Sequence, residues 1–133
     1  MRFDHVANRV EARHFEAVLE LFATRLGFVL LRRTDRAAWL RQPGRDVDLQ
    51  LSRSESTQRD ADKRRSQVAF LSEAPKVALD DLAAWCRTRG LTAEVGAYSD
   101  REFFLDLPDA FVDFVIEAML PELADYGEDA PPR

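Results

Sequence analysis

The chain repeats the order of its predicted elements after about half its length, and this repeat constrains the fold more than any single motif. Three pairs of landmarks are separated by 62 or 63 positions: His5 and Gln67, Gly27 and Gly90, and Gln50 and Asp113. Each pair occupies the same place in its own half: a first strand, the end of a helix, and a last strand. An offset kept within one residue at three landmarks predicts a duplicated structural module.

Each half predicts a strand, a helix and three further strands, which is the order βαβββ. The first helix is indicated by apolar residues at helical spacing, and so is the second. These residues are Phe15, Val18, Leu19 and Phe22 in the first half, and Leu79, Leu82, Ala83 and Cys86 in the second. Alternation predicts the last strands over 46–52 and 111–118. The expected fold class is therefore α+β, with two tandem βαβββ modules.

The length of 133 residues suits one compact domain, which we expect to span 1–120. Module one covers about 1–53 and module two about 66–119. The stretch 54–65 between them is polar and is predicted to be a linker, and 121–133 is predicted to be a polar tail.

Composition argues against several classes of function. A net charge of −5 gives little electrostatic support to nucleic-acid binding. The sequence has no apolar run of about 18 residues and shows no signal peptide, so we expect a cytoplasmic protein without a membrane partner. The excess of arginine over lysine suggests a GC-rich bacterial genome. The single cysteine, Cys86, excludes an intramolecular disulfide framework and is expected to lie in the core.

Two consecutive βαβββ modules resemble the vicinal oxygen chelate superfamily, the group of glyoxalase I, bleomycin-resistance proteins, fosfomycin-resistance enzymes and extradiol dioxygenases. The resemblance runs from Arg2 to about Met119, and order and spacing carry it more than any short motif. The matching stretches are 3–7, 25–28 and 46–51 in the first half, and 67–70 and 103–109 in the second. The resemblance implies that the modules form a curved mixed sheet around a cleft.

The resemblance also implies four positions for metal ligands, one on the first strand and one on the last strand of each module. Carried over to this sequence, they fall on His5, Gln50, Gln67 and Asp113. The fourth position is open. The internal offset and strand alternation favour Asp113, a gapless match to the superfamily's turn selects Phe114, and Glu117 shares the alternation of Asp113.

This set of side chains favours a cleft without a metal ion. Divalent metals prefer imidazole nitrogen and carboxylate oxygen, whereas the implied set offers one histidine and two glutamines. The alternative is a divalent Zn, Ni, Mn or Fe ion that chelates two neighbouring substrate oxygens. Glutamine cannot act as a base, so Asp113 or Glu117 would have to move the proton in that case.

Alternate residues of the other strands are expected to line the cleft. Trp39 and Arg41 share one face of their strand, and Phe103 lies on a later strand of the second module. Trp39 and Phe103 would form an aromatic wall, while Arg41 would meet an anionic ligand beside Gln50. The alternative is plain core for both aromatic residues and a solvated strand end for Arg41. Phe104 is predicted to point into the core.

The expected function is the binding of a small organic molecule by a metal-free homodimer, as in the bleomycin-resistance branch. The first alternative is a metal-dependent lyase, isomerase or dioxygenase that uses His5, Gln50, Gln67 and Asp113. The second is an interaction domain with a degenerate pocket. The sequence leaves open whether modules pair within one chain or are exchanged between two chains.

Overall fold

The computed structural model describes residues 1–56 and 58–124, and its strands form two four-stranded mixed sheets. Sheet one contains β1 (His5–Glu11), β2 (Val29–Arg33), β3 (Ala37–Arg41) and β4 (Asp48–Ser54), in the order β1-β4-β3-β2. Sheet two contains β5 (Gln67–Leu71), β6 (Glu94–Ala97), β7 (Glu102–Asp106) and β8 (Val115–Met119), in the order β5-β8-β7-β6. In each sheet the first strand is parallel to the last, and the other pairs are antiparallel. The predicted α+β class with two tandem βαβββ modules is confirmed. Of the predicted tail, 125–133 lies outside the described residues.

One helix follows the first strand of each module. In module one it is built from a 3-10 turn (Ala12–His14), α1 (Phe15–Glu20) and a π-helical turn (Leu21–Arg25). In module two it is α2 (Pro75–Thr88), which begins with a proline in its first turn, where a missing N–H costs nothing. Gly27 and Gly90, which follow the two helices, have φ angles of 73° and 75°, the left-handed conformation expected of such C-caps.

Both helices and one face of each sheet pack into a single hydrophobic core. Fully buried members come from all four elements, and they include Phe15, Phe22, Leu51, Leu79, Cys86 and Leu105. Because both sheets turn one face towards the same core, the opposite face of each sheet points away from it; we call this the outer face. No helix among residues 1–56 and 58–124 is long and apolar enough to cross a membrane.

The loop 107–114 joins the two modules. Its apolar residues Phe111, Val112 and Phe114 are buried, and its backbone bonds to β1 rather than to a strand of its own sheet. The N–H of Glu11 donates to the carbonyl of Ala110 at 2.9 Å, and the N–H of Val112 donates to the carbonyl of Arg9 at 3.1 Å. The expected strand over 111–118 therefore begins later, at Val115, because this apolar run crosses to the other module.

Candidate functional site

A row of four paired residues crosses the outer face of sheet one. Ala7 of β1 is opposite Gln50 of β4, Gln50 is opposite Trp39 of β3, and Trp39 is opposite Arg32 of β2. Paired residues project on the same side of a sheet, so these four side chains lie next to each other. Ala7 and Arg32 are exposed, and Gln50 and Trp39 are half-buried. We call this set the first row.

The two ends of the first row differ in chemistry. The guanidinium of Arg32 lies 5.0 Å from the centre of the Trp39 ring, in a cation–π contact. A β-bulge between Leu30 and Arg32 interrupts the pairing of β2, and this shift brings Arg32 opposite Trp39. On the other side of Trp39, the side-chain amide of Gln50 donates to the Ser52 hydroxyl at 3.0 Å.

The other two arginines on this outer face have carboxylate partners. The Arg41 Nε lies 2.5 Å from the Asp48 Oδ1, and this hydrogen bond raises the pKa of Arg41. Asp113 accepts from the Arg9 backbone N–H at 2.9 Å and from the Arg9 Nε at 3.1 Å. Arg41 was expected to meet an anionic ligand, but in this chain its charge is already balanced by Asp48.

Sheet two carries an equivalent row, which we call the second row. Ala69 is opposite Glu117, Glu117 is opposite Phe104, and Phe104 is opposite Gly96. The Phe104 ring covers Gly96 so closely that a Cβ on this glycine would lie 2.3 Å from the ring. Glu117 and Phe104 are both buried.

The strand registers give Gln50 a different counterpart in module two from Asp113, the one that the sequence favours. Gln50 is paired with Ala7 and Glu117 with Ala69, so the pairing counterpart of Gln50 is Glu117, while Asp113 precedes β8 in the loop and contacts Arg9. The offset of 63 positions grows to 65 between Trp39 and Phe104 and to 67 between Gln50 and Glu117, and the longer loop before β8 accounts for the last two positions.

The aromatic counterpart of Trp39 on the second sheet is Phe104, not Phe103. Phe103 is paired with Ala118 and packs against the hydrophobic core, so its placement in the cleft wall is corrected. Successive residues of a strand project to opposite faces, and β7 runs from Glu102 to Asp106 with Phe104 on the outer face.

Residues 59–66 of the linker fold over the outer face of sheet two; we call them the covering segment. The Arg64 guanidinium lies 4.8 Å from the centre of the Phe104 ring. The Tyr98 ring packs 5.1 Å from that of Phe104, and its hydroxyl donates to the Arg64 carbonyl. Burial raises the pKa of the Tyr98 phenol, while a hydrogen bond with Gln67 opposes that rise. A guanidinium thus covers an aromatic ring in both rows, but the second comes from the linker.

A buried ion pair anchors the covering segment. The Lys63 ammonium lies 2.7 Å from the Asp106 Oδ1, and the two side chains are 9% and 6% exposed. The same ammonium donates to the carbonyl of Phe111 at 2.9 Å. Nearby, the Arg59 guanidinium donates to Glu11 and to the carbonyls of Pro108 and Asp109. Among the described residues, the covering segment therefore buries Phe104 and Glu117 of sheet two, whereas Trp39 and Gln50 of sheet one stay half-buried.

The four positions implied for metal ligands do not converge within one chain. His5 is exposed, and its Nδ1 contacts Asp4 at 2.9 Å. Gln67 donates to the Arg64 carbonyl at 2.8 Å and to the Tyr98 hydroxyl at 3.3 Å. His5 and Gln50 belong to one sheet, and Gln67 to the other. Over 1–56 and 58–124, no group of three His, Cys, Asp or Glu side chains is placed to hold a metal ion. The implied set offers one imidazole and two amides, and amide oxygens bind divalent metals more weakly than carboxylates do.

Two further features lie outside the two rows, the Cys86 thiol and a groove beside β5. Burial raises the pKa of the Cys86 thiol to about 11, so this cysteine offers no thiolate at neutral pH. A groove of about 470 Å³ follows the free edge of β5 and is lined by Phe28, Gln42, Val47 and 68–71 among others. Of the described residues that line this groove, none is an implied metal ligand.

Comparison with known proteins identifies the fold. No protein-family model matches the sequence, and no curated protein matches it. Among solved structures, a candidate glyoxalase from Bacillus halodurans is 19% identical, with a TM-score of 0.60 over 90% of this chain and 95% of the other. The chain has the glyoxalase fold. This fold is the one expected of the vicinal oxygen chelate superfamily, so the resemblance in element order is confirmed.

Further structures with the glyoxalase fold cover both binding proteins and enzymes. The antibiotic-binding protein TnmS3 from Streptomyces sp. CB03234 is 19% identical, with a TM-score of 0.56 over 91% of this chain and 96% of that one. A lactoylglutathione lyase from Agrobacterium tumefaciens is 12% identical, with a TM-score of 0.53 over 94% and 97% of the two chains. At these identities the likeness establishes the fold alone.

Three residues of the two rows and the covering segment have roles that the sequence does not predict: Arg32, Phe104 and Lys63. The bulge that brings Arg32 opposite Trp39 leaves no signal in the alternation of β2. Phe104 was assigned to the core because alternation gives two faces but does not say which one is inward. Lys63 lies in a polar stretch, where a buried lysine is unusual unless it is paired.

Proposed function

We propose that this protein binds a small organic molecule, without a metal ion, on the outer face of sheet one. The observation that carries the proposal is the first row, in which Trp39 and Gln50 are half-buried on a face that the described residues leave open. An aromatic ring with a neighbouring amide is a common way to hold an organic ligand by packing and one directed hydrogen bond. The binding of antibiotic by TnmS3 on the same fold supports this use. The expected location is the cytoplasm.

The metal-dependent alternative rests on one observation. Glu117 is a buried carboxylate at the pairing position that Gln50 holds on sheet one. A ligand set of His5, Gln50, Gln67 and Glu117 would draw on both sheets, and two copies of the chain would have to supply it jointly. Lactoylglutathione lyase shares the fold, which is the support for this alternative. The second alternative is an interaction domain with a degenerate pocket. Its support is that the covering segment lies over the outer face of sheet two.

Metal analysis tests the metal-free proposal. Protein purified without chelators is expected to contain well under one Zn, Ni, Mn or Fe ion per chain by plasma mass spectrometry, because glutamine carbonyls bind these ions weakly. One equivalent per chain that is lost in the variant His5→Ala, and retained in the control variant His14→Ala, would overturn it.

We also propose that two copies of the chain form a homodimer that completes the cleft. The free edges of β1 and β5 carry exposed apolar side chains: Val6 is 43% exposed and Leu71 52%, and Phe3, just before β1, is 65% exposed. Exposed apolar groups at unpaired strand edges favour association. Sedimentation velocity is expected to show a species of two chains that the variant Leu71→Lys shifts towards one. A single-chain species at all concentrations would contradict the dimer.

A further inference from the structure

Arg32 has no carboxylate partner among the described residues, unlike the other two arginines on the outer face of sheet one. Arg9 is paired with Asp113 at 3.1 Å, and Arg41 with Asp48 at 2.5 Å. The contact that the structure gives Arg32 is with the Trp39 ring. A guanidinium stays charged at every physiological pH, so this face carries a positive charge that the described part of the chain does not neutralise.

The contact with the Trp39 ring restricts the orientation of the Arg32 guanidinium before a ligand binds. A guanidinium over an aromatic face, here at 5.0 Å, loses part of its rotamer freedom before any ligand arrives. Within the described residues, no acceptor receives a hydrogen bond from the Arg32 guanidinium, so its N–H donors are available to a ligand. Those donors match the two oxygens of a carboxylate, which accepts two parallel hydrogen bonds from arginine.

Comparison of the two rows shows which group is missing. Beside the aromatic residue, the second row has the carboxylate of Glu117, while the first row has the neutral amide of Gln50. Both rows have a guanidinium over their aromatic ring, Arg64 in one and Arg32 in the other. The first row therefore has the cation and the ring of the second row but not its anion.

The size and surroundings of the first row limit the ligand. Its four residues lie on four adjacent strands, so the row is about 14 Å long at the usual strand spacing. Ala7 adds little bulk at one end. At the other end, Val29 of β2 is paired with Arg41 on the same face and is 51% exposed. A flat apolar body fits this surface better than a sugar or a peptide.

We propose that the ligand bound on sheet one is a planar aromatic carboxylate. Its carboxylate accepts hydrogen bonds from the Arg32 guanidinium, and its ring system lies along Trp39 towards Gln50 and Ala7. This assignment rests on the proposed binding function and adds the chemical class of the ligand.

Calorimetric titration of the full chain with 2-naphthoate and its neutral analogue 2-naphthamide tests the assignment. At low salt, 2-naphthoate is expected to bind at least about tenfold more tightly, the effect of a charge-assisted hydrogen bond. The variant Arg32→Gln should remove this preference and keep the affinity for 2-naphthamide within about twofold of the wild-type value. Gln50→Glu should weaken naphthoate binding about tenfold by supplying an internal carboxylate, and Trp39→Leu should weaken both compounds.

The control is Arg101→Gln, which removes the same charge from an exposed arginine of module two and should leave both affinities unchanged. Equal binding of the two compounds, or an equal loss of both in Arg32→Gln, overturns the carboxylate assignment and leaves the proposed binding function standing. If neither compound binds at millimolar concentration, the proposed site on sheet one is overturned together with the assignment.

Discussion

Replacing Lys63 with alanine is expected to lower the free energy of unfolding by about 3–5 kcal/mol, because it leaves a buried carboxylate without its cation. Asp106 is only 4% exposed, and Lys63 meets it at 2.7 Å. The substitution also removes the donor to the Phe111 carbonyl. A domain of this size is stable by about 5–15 kcal/mol, so the loss should be plain in urea unfolding followed by circular dichroism.

Two further variants separate the buried pair from a general effect of removing a lysine. Lys76→Ala breaks an exposed pair with Asp80 on α2, in which Lys76 is 62% exposed, and should cost less than about 0.5 kcal/mol. The double variant Lys63→Met with Asp106→Leu removes both charges together and should lie within about 1 kcal/mol of the wild type. A loss below about 1 kcal/mol in Lys63→Ala would contradict the covering segment as a fixed part of the fold.

Replacing Phe111 with alanine is also expected to lower the free energy of unfolding by about 3–5 kcal/mol, because a fully buried ring is removed at the junction of the modules. Phe111 is 0% exposed, and its ring centre lies 4.2 Å from that of Phe114. Its backbone forms the bridge to Val10 of β1. The ring therefore stabilises the packing of module two against module one.

Val77→Ala serves as the control, since Val77 lies on α2, is 61% exposed, and its truncation should change stability by less than about 0.5 kcal/mol. Because one core includes both modules, the wild type should unfold in a single transition by fluorescence and by circular dichroism. Equal stability of the Phe111→Ala and Val77→Ala variants would contradict a role of the Phe111 ring in holding the modules together.

The features that the sequence predicted correctly are local ones. Helical spacing identified the buried face of α2, from Leu79 to Cys86. The two glycines after the helices have the left-handed conformation that such caps require. The order of elements along the chain, βαβββ in each half, was also predicted from the repeat.

The composition of the two rows could not be predicted because it depends on register between strands that are distant in sequence. The loop 107–114 delays β8, so Glu117 takes the pairing position corresponding to Gln50. A bulge in β2 brings Arg32 over Trp39. Neither shift changes the hydrophobic pattern, and a shift of one residue is enough to exchange the two faces of a strand.

The two modules share a fold but present different outer faces. On sheet two the linker supplies Arg64 to the aromatic ring and Lys63 to the buried Asp106. On sheet one Arg32 comes from an edge strand, and Gln50 replaces the carboxylate. The two modules therefore differ in that the covering segment lies over sheet two, while the described residues leave Trp39 and Gln50 of sheet one partly exposed.

The central claim, that ligands bind on the outer face of sheet one, is tested most directly by mapping the backbone and side-chain amide signals of the ¹⁵N-labelled protein during titration with 2-naphthoate. We expect saturable shifts of the Trp39 indole N–H, the Gln50 side-chain amide and the backbone of Ala7 and Arg32. Shifts confined to the groove along β5, at Val68–Leu71 and Gln42, would contradict the account, because they would place the ligand between the two modules and not on the outer face of sheet one.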